Sequence, residues 1–397
     1  MMSLSPSIRL QPLTGDVAPV LRKLGWEWAM EEACQNYVAR EAVQLPELQA
    51  DELLQAADTL YDLLVQSIPD PIPDDFLQLL VIPENLWPLI RHSWNDDRHW
   101  HLYGRFDIAQ TPEGPKLLEF NADTATNIPE TAVVQWASLV AAGLDQKTRQ
   151  VNGLFEGLQQ QLGQWRELNE DLEPTLLLVH LPGSAEDEAN CTVVAEAALA
   201  AGFTQTHICS VDDMQVAIAG EERGAWAEVG PEKWQRFSFL FKLVPWELLA
   251  TEEPDLTADL AQLLLSRDLI IANPAYTMLF QSKAILAWLW QCYPNHPLLL
   301  ESRLGQPLPG HCIRKPVLGR EGQDVAELQG GLELPAEAGD YADQAPVYQR
   351  YAQLPHDAQS RLYQAGVFWA GSACAVGMRR AQGFINNLSD FVPHVIS

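Results

Sequence analysis

Asp107, Glu119 and Asn121 are the residues whose types and spacing first suggest chemistry. They lie on two short runs, Tyr103-Gly-Arg-Phe-Asp-Ile108 and Lys116-Leu-Leu-Glu-Phe-Asn121, separated by Thr111-Pro-Glu-Gly114. Proline presets φ and glycine accepts an awkward backbone angle, so the connecting segment is good turn chemistry. Folding the runs back about Glu113 predicts Phe106 opposite Phe120 and Ile108 opposite Leu118 on an apolar face. The other face then sets Asp107 opposite Glu119 and Arg105 opposite Asn121. Two carboxylates about 5 Å apart repel by roughly 3 kcal/mol at an effective dielectric of about 20. A hard divalent cation removes that repulsion, and two carboxylates with an amide oxygen suit Mg²⁺, which keeps several waters and shares its shell with nucleotide phosphates. Arg105 beside them can neutralise charge and reach a phosphoryl group. The competing reading is an ordinary ion pair of Arg105 with Asp107 or Glu119 on a solvated hairpin face.

Lysine is scarce: Lys23, Lys116, Lys147, Lys233, Lys242, Lys283 and Lys315 are the full set. Lys315 ends a strand-like run and is followed by Gly319 and Gly322, so ammonium and backbone N–H groups can reach phosphate oxygens there. Lys283 stands where a helix begins. An ordinary strand lysine and an ordinary helix-start lysine are the competing readings of the two.

These residues sit in a chain of 397 residues with 47% hydrophobic and 20% charged residues, and a formal charge of −28. The length supports two or three lobes. So negative a field repels phosphate backbones and anionic head groups, which argues against nucleic acid or a membrane surface as partner. The six cysteines are scattered without a C-x-x-C pair, a pattern of reduced thiols. No basic run followed by an apolar one opens the chain, and no stretch reaches membrane-span length, so a cytoplasmic location is expected. Cys34 reads as a packed thiol rather than a nucleophile, having no nearby histidine.

The elements that must position these residues alternate. Val20 to Leu80 reads as helical, with Leu53, Leu54, Leu60, Leu63 and Leu64 at helical spacing, ended by Pro69, Pro71 and Pro73. After the hairpin a helix is expected from Pro129 to Ala142. A βαβ-like stretch follows: strand Thr175–His180, helix Cys191–Ala201, strand Thr206–Ser210, then strands Phe237–Leu243 and Leu269–Ile271. Ile285–Cys292 reads as helix and His311–Leu318 as strand. Pro346 to Val395 reads as strand-rich, with a glycine-bearing loop from Gly371 to Gly377. This is an α/β pattern, divided into a helical region 1–100, the hairpin and long helix 101–170, a βαβ lobe 171–270 and a last lobe 271–397.

The runs Tyr103–Asp107 and Leu118–Thr124 resemble the synthetase domain of glutathionylspermidine synthase, most closely its single-domain acid–amine ligase relatives. The resemblance continues in order through Phe241-Lys-Leu-Val-Pro-Trp-Glu247, Asn273–Leu286, Arg314-Lys-Pro-Val-Leu-Gly-Arg-Glu-Gly322, Tyr348–Pro355 and Gly377-Met-Arg-Arg380. It covers nearly all of the chain from about Gly25. It implies an ATP-grasp-like fold of permuted segment order, with a pre-ATP-grasp-like βαβ lobe, that uses ATP and Mg²⁺ to join a small carboxylic acid to an amine through an acyl phosphate. By the same resemblance Asp107, Glu119 and Asn121 fall on magnesium ligands and Arg105 on the arginine that stabilises the transition state. Lys283 and Lys315 fall on phosphate-binding lysines, and Glu321 and Gly322 on the loop over the phosphates. Gln349, Arg350, Tyr351, Gln364, Phe384 and Ile385 fall near adenine and ribose. Thr124 and Arg379 fall on positions that touch the acid.

The chain departs from the family where substrates bind. Of an acidic pair for polyamine, only Glu188 aligns, with Ala189 replacing the second acid; the acidic run Glu186–Glu188 can still meet a cationic amine, with a solvated loop as the competing reading. A threonine that contacts glutathione is replaced by an apolar residue near Leu243 or Val244. The expected activity is therefore an acid–amine ligase of other substrates; a glutathionylspermidine synthase and an ATP-binding regulatory protein that does not ligate are the alternatives.

Overall fold

The computed structural model describes residues 8–23, 37–330, 332–334, 338–386 and 389–397. These described residues form a mixed α/β fold with five sheets. Cys34 lies outside the described residues, while Cys191, Cys209, Cys292, Cys312 and Cys374 are free thiols.

The hairpin strands Gly104–Thr111 and Gly114–Asn121 form one edge of an antiparallel five-stranded sheet. Leu362–Trp369, Ala373–Ala381 and Asp390–Val392 complete it, with Leu362–Trp369 against the first hairpin strand. Two segments about 250 residues apart thus share one surface, as non-local sheets allow. The register pairs Arg105 with Asn121, Phe106 with Phe120 and Asp107 with Glu119. A bulge then pairs Ile108 with Leu117, not with Leu118 as the simple fold-back predicts. The extra residue of a bulge turns the next side chain, and Leu118 lines a large cavity rather than the apolar face. That face is closed by Phe106 and Phe120, stacked at 3.8 Å between centroids.

Beneath the sheet lies the helix Glu47–Ser67, whose Ala50, Leu53, Ala57, Leu60 and Leu64 are buried. The stretch 20–80 is not uniformly helical, however. Glu41–Leu45 is a strand between Leu10–Pro12 and His394–Ile396. Its partners come from both chain ends, so local spacing could not reveal it. The prolines do end the helix Glu47–Ser67, but the separate helices Asp74–Leu79 and Trp87–Trp94 follow them.

The βαβ stretch is an all-parallel sheet ordered Ile270–Ala272, Phe239–Lys242, Thr175–His180, Gln205–Ser210. Thr175–His180 is buried throughout, as a strand covered on both faces must be. Helices Leu154–Leu168 and Ala185–Ala200 pack on it. The helix expected from Pro129 to Ala142 opens with a π-helical turn, Glu130–Val134, and continues as Gln135–Ala141. A second antiparallel sheet is ordered Ser302–Leu304, Pro346–Arg350, His311–Pro316, Ala326–Gln329, Leu332–Glu333. The glycine-bearing turn is shorter than expected: Gly377 lies within the strand Ala373–Ala381, where a Cβ would come within 2.7 Å of Thr131 Oγ1. Among the described residues no helix is long and apolar enough to cross a membrane.

Candidate active site

The two five-stranded antiparallel sheets and the parallel sheet meet around a cavity of about 660 Å³. Its floor is the polar face of the hairpin. Burial costs a charge several kcal/mol unless it is paired, and each charge here has a partner. Arg105 donates from Nε to Asp107 Oδ1 at 2.7 Å and from Nη2 to Oδ2 at 3.2 Å, and Nη1 reaches the Thr126 carbonyl at 2.9 Å. The arginine has room because Gly366, the residue paired with Asp107 across the sheet, has no side chain: a Cβ there would meet Arg105 Cδ at 2.9 Å.

Glu119, opposite Asp107, lies 3.4 Å from Lys283 Nζ. Lys283 opens the helix Ala284–Cys292 and also donates to the Gly319 carbonyl at 2.6 Å, which ties the phosphate-loop candidate to the hairpin. Lys315, from the other sheet, donates to the Leu118 carbonyl at 3.0 Å and to Gln349 Oε1 at 2.8 Å. Gln349 in turn donates to the Leu117 carbonyl at 3.0 Å. Both lysines and Asp107 are less than a tenth exposed.

Electrostatics follow from this arrangement. Burial lifts the Asp107 carboxyl above its ordinary value despite Arg105, with Glu119 adding to the rise. Burial acts the same way on Glu119, but Lys283 and Lys315 outweigh it and hold that carboxyl at about 2. Burial, with repulsion from Lys283, lowers the Lys315 ammonium to about 8 against the pull of Glu119. Asn121 Nδ2 stands 3.4 Å from Asp107 Oδ2 and 3.5 Å from Glu119 Oε1, where a cation shared by both carboxylates would sit. Turning the amide over presents its oxygen instead, so the donor set is all oxygen and fits Mg²⁺.

The rest of the lining comes from three directions. Glu321 and Gly322 have φ of 56° and 75°, a left-handed turn that Gly322 adopts without a Cβ clash. Gln349, Arg350, Tyr351, Gln364, Phe384 and Ile385 line one end of the cavity with Ile313, Leu354 and Leu362. Tyr351 stacks on His311 at 3.8 Å, while the Arg350 guanidinium is held by Glu301 and the Pro309 carbonyl. Thr124 and Arg379 also face the cavity; Thr124 Oγ1 accepts from Arg320 Nη1 at 2.9 Å, and Arg379 Nη1 donates to Asn127 Oδ1 at 2.8 Å.

One expected site residue is absent from this lining. Glu188 is exposed on the helix Ala185–Ala200 and does not reach the cavity, whereas Asp187 does. Ser184 caps that helix by accepting from the Asp187 N–H at 3.2 Å, and each further residue turns about 100°. Glu186 stands close by, its carboxyl pushed up to about 7 by burial and by Glu130 and Asp187.

Reasoning on sequence also passed over Arg320 and the Asp123–Lys242 pair. Arg320 lines the cavity and is paired with Glu247. Lys242 Nζ donates to Asp123 Oδ1 at 2.7 Å, with the two side chains 1% and 0% exposed. Both residues lay inside motifs quoted for the resemblance, and the scarcity of lysine was a signal for Lys242.

Residues 10–397 match the glutathionylspermidine synthase preATP-grasp family. The chain belongs to that family. It is 31% identical over 319 residues to a Haemophilus influenzae protein named "Putative acid–amine ligase", covering 77% of each chain. It is 27% identical over 330 residues to the bifunctional glutathionylspermidine synthetase/amidase of Escherichia coli, with 77% of this chain and 51% of that one matched. Trypanothione synthetase of Crithidia fasciculata is 25% identical over 352 residues, covering 83% of this chain and 52% of its own. The chain thus spans about half the length of those two synthetases. In fold it is similar to a glutathione synthetase-like effector from Globodera pallida, with a TM-score of 0.54 at 10% identity over 97% of this chain and 99% of that one.

Proposed function

We propose that this member of the family is an ATP-dependent acid–amine ligase with its reaction centre on the hairpin floor. The enzyme class, an ATP-dependent carbon–nitrogen ligase, is that of its ligase and synthetase relatives. The observation that carries the reading is the meeting of Asp107 and Glu119 with Arg105, Lys283 and Lys315 on one wall of the cavity. Two facing carboxylates in a chain of charge −28 would repel ATP; three cations gathered beside them make sense for a phosphate chain. Asp107, Glu119 and Asn121 would hold Mg²⁺, which when bound neutralises charge on the phosphates.

In this reading Lys283 and Lys315 grip the phosphates and Glu321 and Gly322 close over them. Gln349, Arg350, Tyr351, Gln364, Phe384 and Ile385 surround adenine and ribose. Thr124 and Arg379 orient the acid so that one carboxylate oxygen attacks the γ-phosphorus and ADP leaves. Arg105 steadies the charge on the transferring phosphoryl group. The amine then attacks the acyl carbon, an amide forms, and phosphate leaves with the electron pair of the broken carbon–oxygen bond while the amine loses a proton. The fold would be ATP-grasp-like, with the metal residues early in the chain and the gripping lysines late, acting in the cytoplasm.

Leu243 bears on the substrates. It is buried and lines the cavity, so it cannot offer the hydroxyl expected for glutathione, and a site built to hydrogen-bond a substrate discriminates strongly. Acids other than glutathione are therefore favoured. Screening acids against amines for phosphate release tests the proposal. Release that requires both an acid and an amine, and amide in the products, supports ligation; ATP binding without release in any pair leaves only a nucleotide-binding regulator.

A further inference from the structure

Outside the cavity, the described residues hold one cluster of metal-ligating side chains: His92, Asp96 and His99, with one ligand atom of each within 4.8 Å of the others. The sequence produces it locally. His92 lies in the last turn of the helix Trp87–Trp94, and Asp96 stands just beyond its end, where the chain leaves the helix. The chain then turns back, the His99 N–H donating to the Asp96 carbonyl at 3.0 Å, and the two imidazoles meet edge to face at 5.1 Å.

We propose that His92, Asp96 and His99 form a transition-metal site of the zinc class, separate from the nucleotide cavity. Two imidazoles and a carboxylate are the ligand set of such ions rather than of magnesium. None of the three lines the large cavity. A second observation points the same way. His92 Nε2 is buried and has no hydrogen-bond partner among the described residues, and a buried polar nitrogen left unpaired is costly. Ligands about 2.0–2.1 Å from a tetrahedral ion stand about 3.4 Å apart, so modest side-chain rotation closes the observed cluster onto a metal. Arg267 is the competing cation, but its Nη2 is 3.7 Å from Asp96 Oδ2 and its side chain is 62% exposed, so it can give up that contact. Asp96 Oδ1 accepts from the Arg98 N–H at 3.1 Å, which fixes the carboxylate facing the turn. The bound ion would tie the end of the helix to the segment that enters the hairpin at Leu102 and Tyr103, and serve as a structural clasp.

The test uses untagged protein, stripped with chelator and titrated with Co²⁺ alone at neutral pH, followed by visible absorption. One equivalent should bind with the d–d bands of a low-symmetry site, and the same bands should appear in Asp107→Asn. His92→Asn and Asp96→Asn should each weaken binding by about tenfold or more. Absence of bands in the wild-type protein overturns the proposal, and so do bands that survive in both His92→Asn and Asp96→Asn. Loss of the bands in Asp107→Asn instead would place the ion in the cavity and overturn it equally. The wild-type titration decides even if a variant fails to fold.

Discussion

Two groups of buried opposite charges lie within a few residues of each other on this chain, and they differ in a way that separates structure from site. Asp123 and Lys242 are closed on themselves: Lys242 donates to Asp123 and to the Val244 carbonyl at 3.1 Å, and the second Asp123 oxygen accepts from the Trp246 N–H at 2.9 Å. The ammonium also rests 4.5 Å from the Trp246 ring centroid. Neither residue lines the cavity. Asp107 and Glu119, by contrast, face each other and open on the cavity with three cations around them. Burial alone therefore marks nothing. Like charges held together against an open space are what call for a ligand.

The largest effect is expected at the closed pair. Lys242→Met leaves Asp123 buried without its cation and should destabilise the protein by about 3–5 kcal/mol, measured by chemical denaturation, while the folded fraction binds ATP with unchanged affinity. The open pair should answer oppositely. Asp107→Asn should lower turnover by about 10²–10³ with a smaller loss of stability than Lys242→Met, since Glu119 remains beside Arg105 as a counter-charge. If Asp107→Asn unfolds the protein and Lys242→Met stops turnover without unfolding it, the contrast is inverted and the site has been misplaced.

Lys315→Ala comes next, with nucleotide affinity expected to fall by about 10- to 100-fold, read by calorimetry with ATP and Mg²⁺. The same residue sharpens the comparison through pH. Its ammonium is held at about 8, below the ordinary 10.5, because burial disfavours the charge. Above pH 8 the free protein loses that charge, so ATP affinity should weaken by up to about tenfold per pH unit. Stability from this group moves the other way: between the folded and unfolded values the unfolded chain binds more protons, so the contribution rises with pH across that window. A Lys315→Arg variant that still binds should show a flat affinity profile there, and a slope identical to wild type would remove Lys315 from the phosphates.

How much of this was legible in the sequence follows the same division. The polar face of the hairpin could be read because strand alternation and a two-residue turn fix the register of Arg105, Asp107, Glu119 and Asn121 over a few residues. One bulge defeated the reading at Leu118, since an inserted residue leaves no mark in the alternation. The pair Asp123–Lys242 was hidden for a different reason, its partners being 119 residues apart. The strand Glu41–Leu45 was hidden likewise, being paired at both edges with residues near the chain ends. Local chemistry was visible; the contacts made by topology were not.

The smallest effect is expected where sequence and structure disagree most finely. Within the acidic run Glu186–Glu188 the residue that aligns with the family, Glu188, is exposed on its helix, while Asp187, one residue earlier, lines the cavity and Glu186 is half-buried beside it. Successive residues on a helix point about 100° apart, so a shift of one position decides which carboxylate a cationic amine can meet. A solvent-facing contact of this kind is worth about 1 kcal/mol or less, rising when it is partly buried. Asp187→Asn should therefore raise the KM for a cationic amine by about three- to tenfold with kcat nearly unchanged, because the contact is the same in ground and transition states, while Glu188→Gln should leave both parameters at the wild-type value. Steady-state kinetics with the amine varied at saturating ATP and acid separates the two, and equal effects at both positions would mean that the helix acts as a diffuse negative field rather than through one carboxylate.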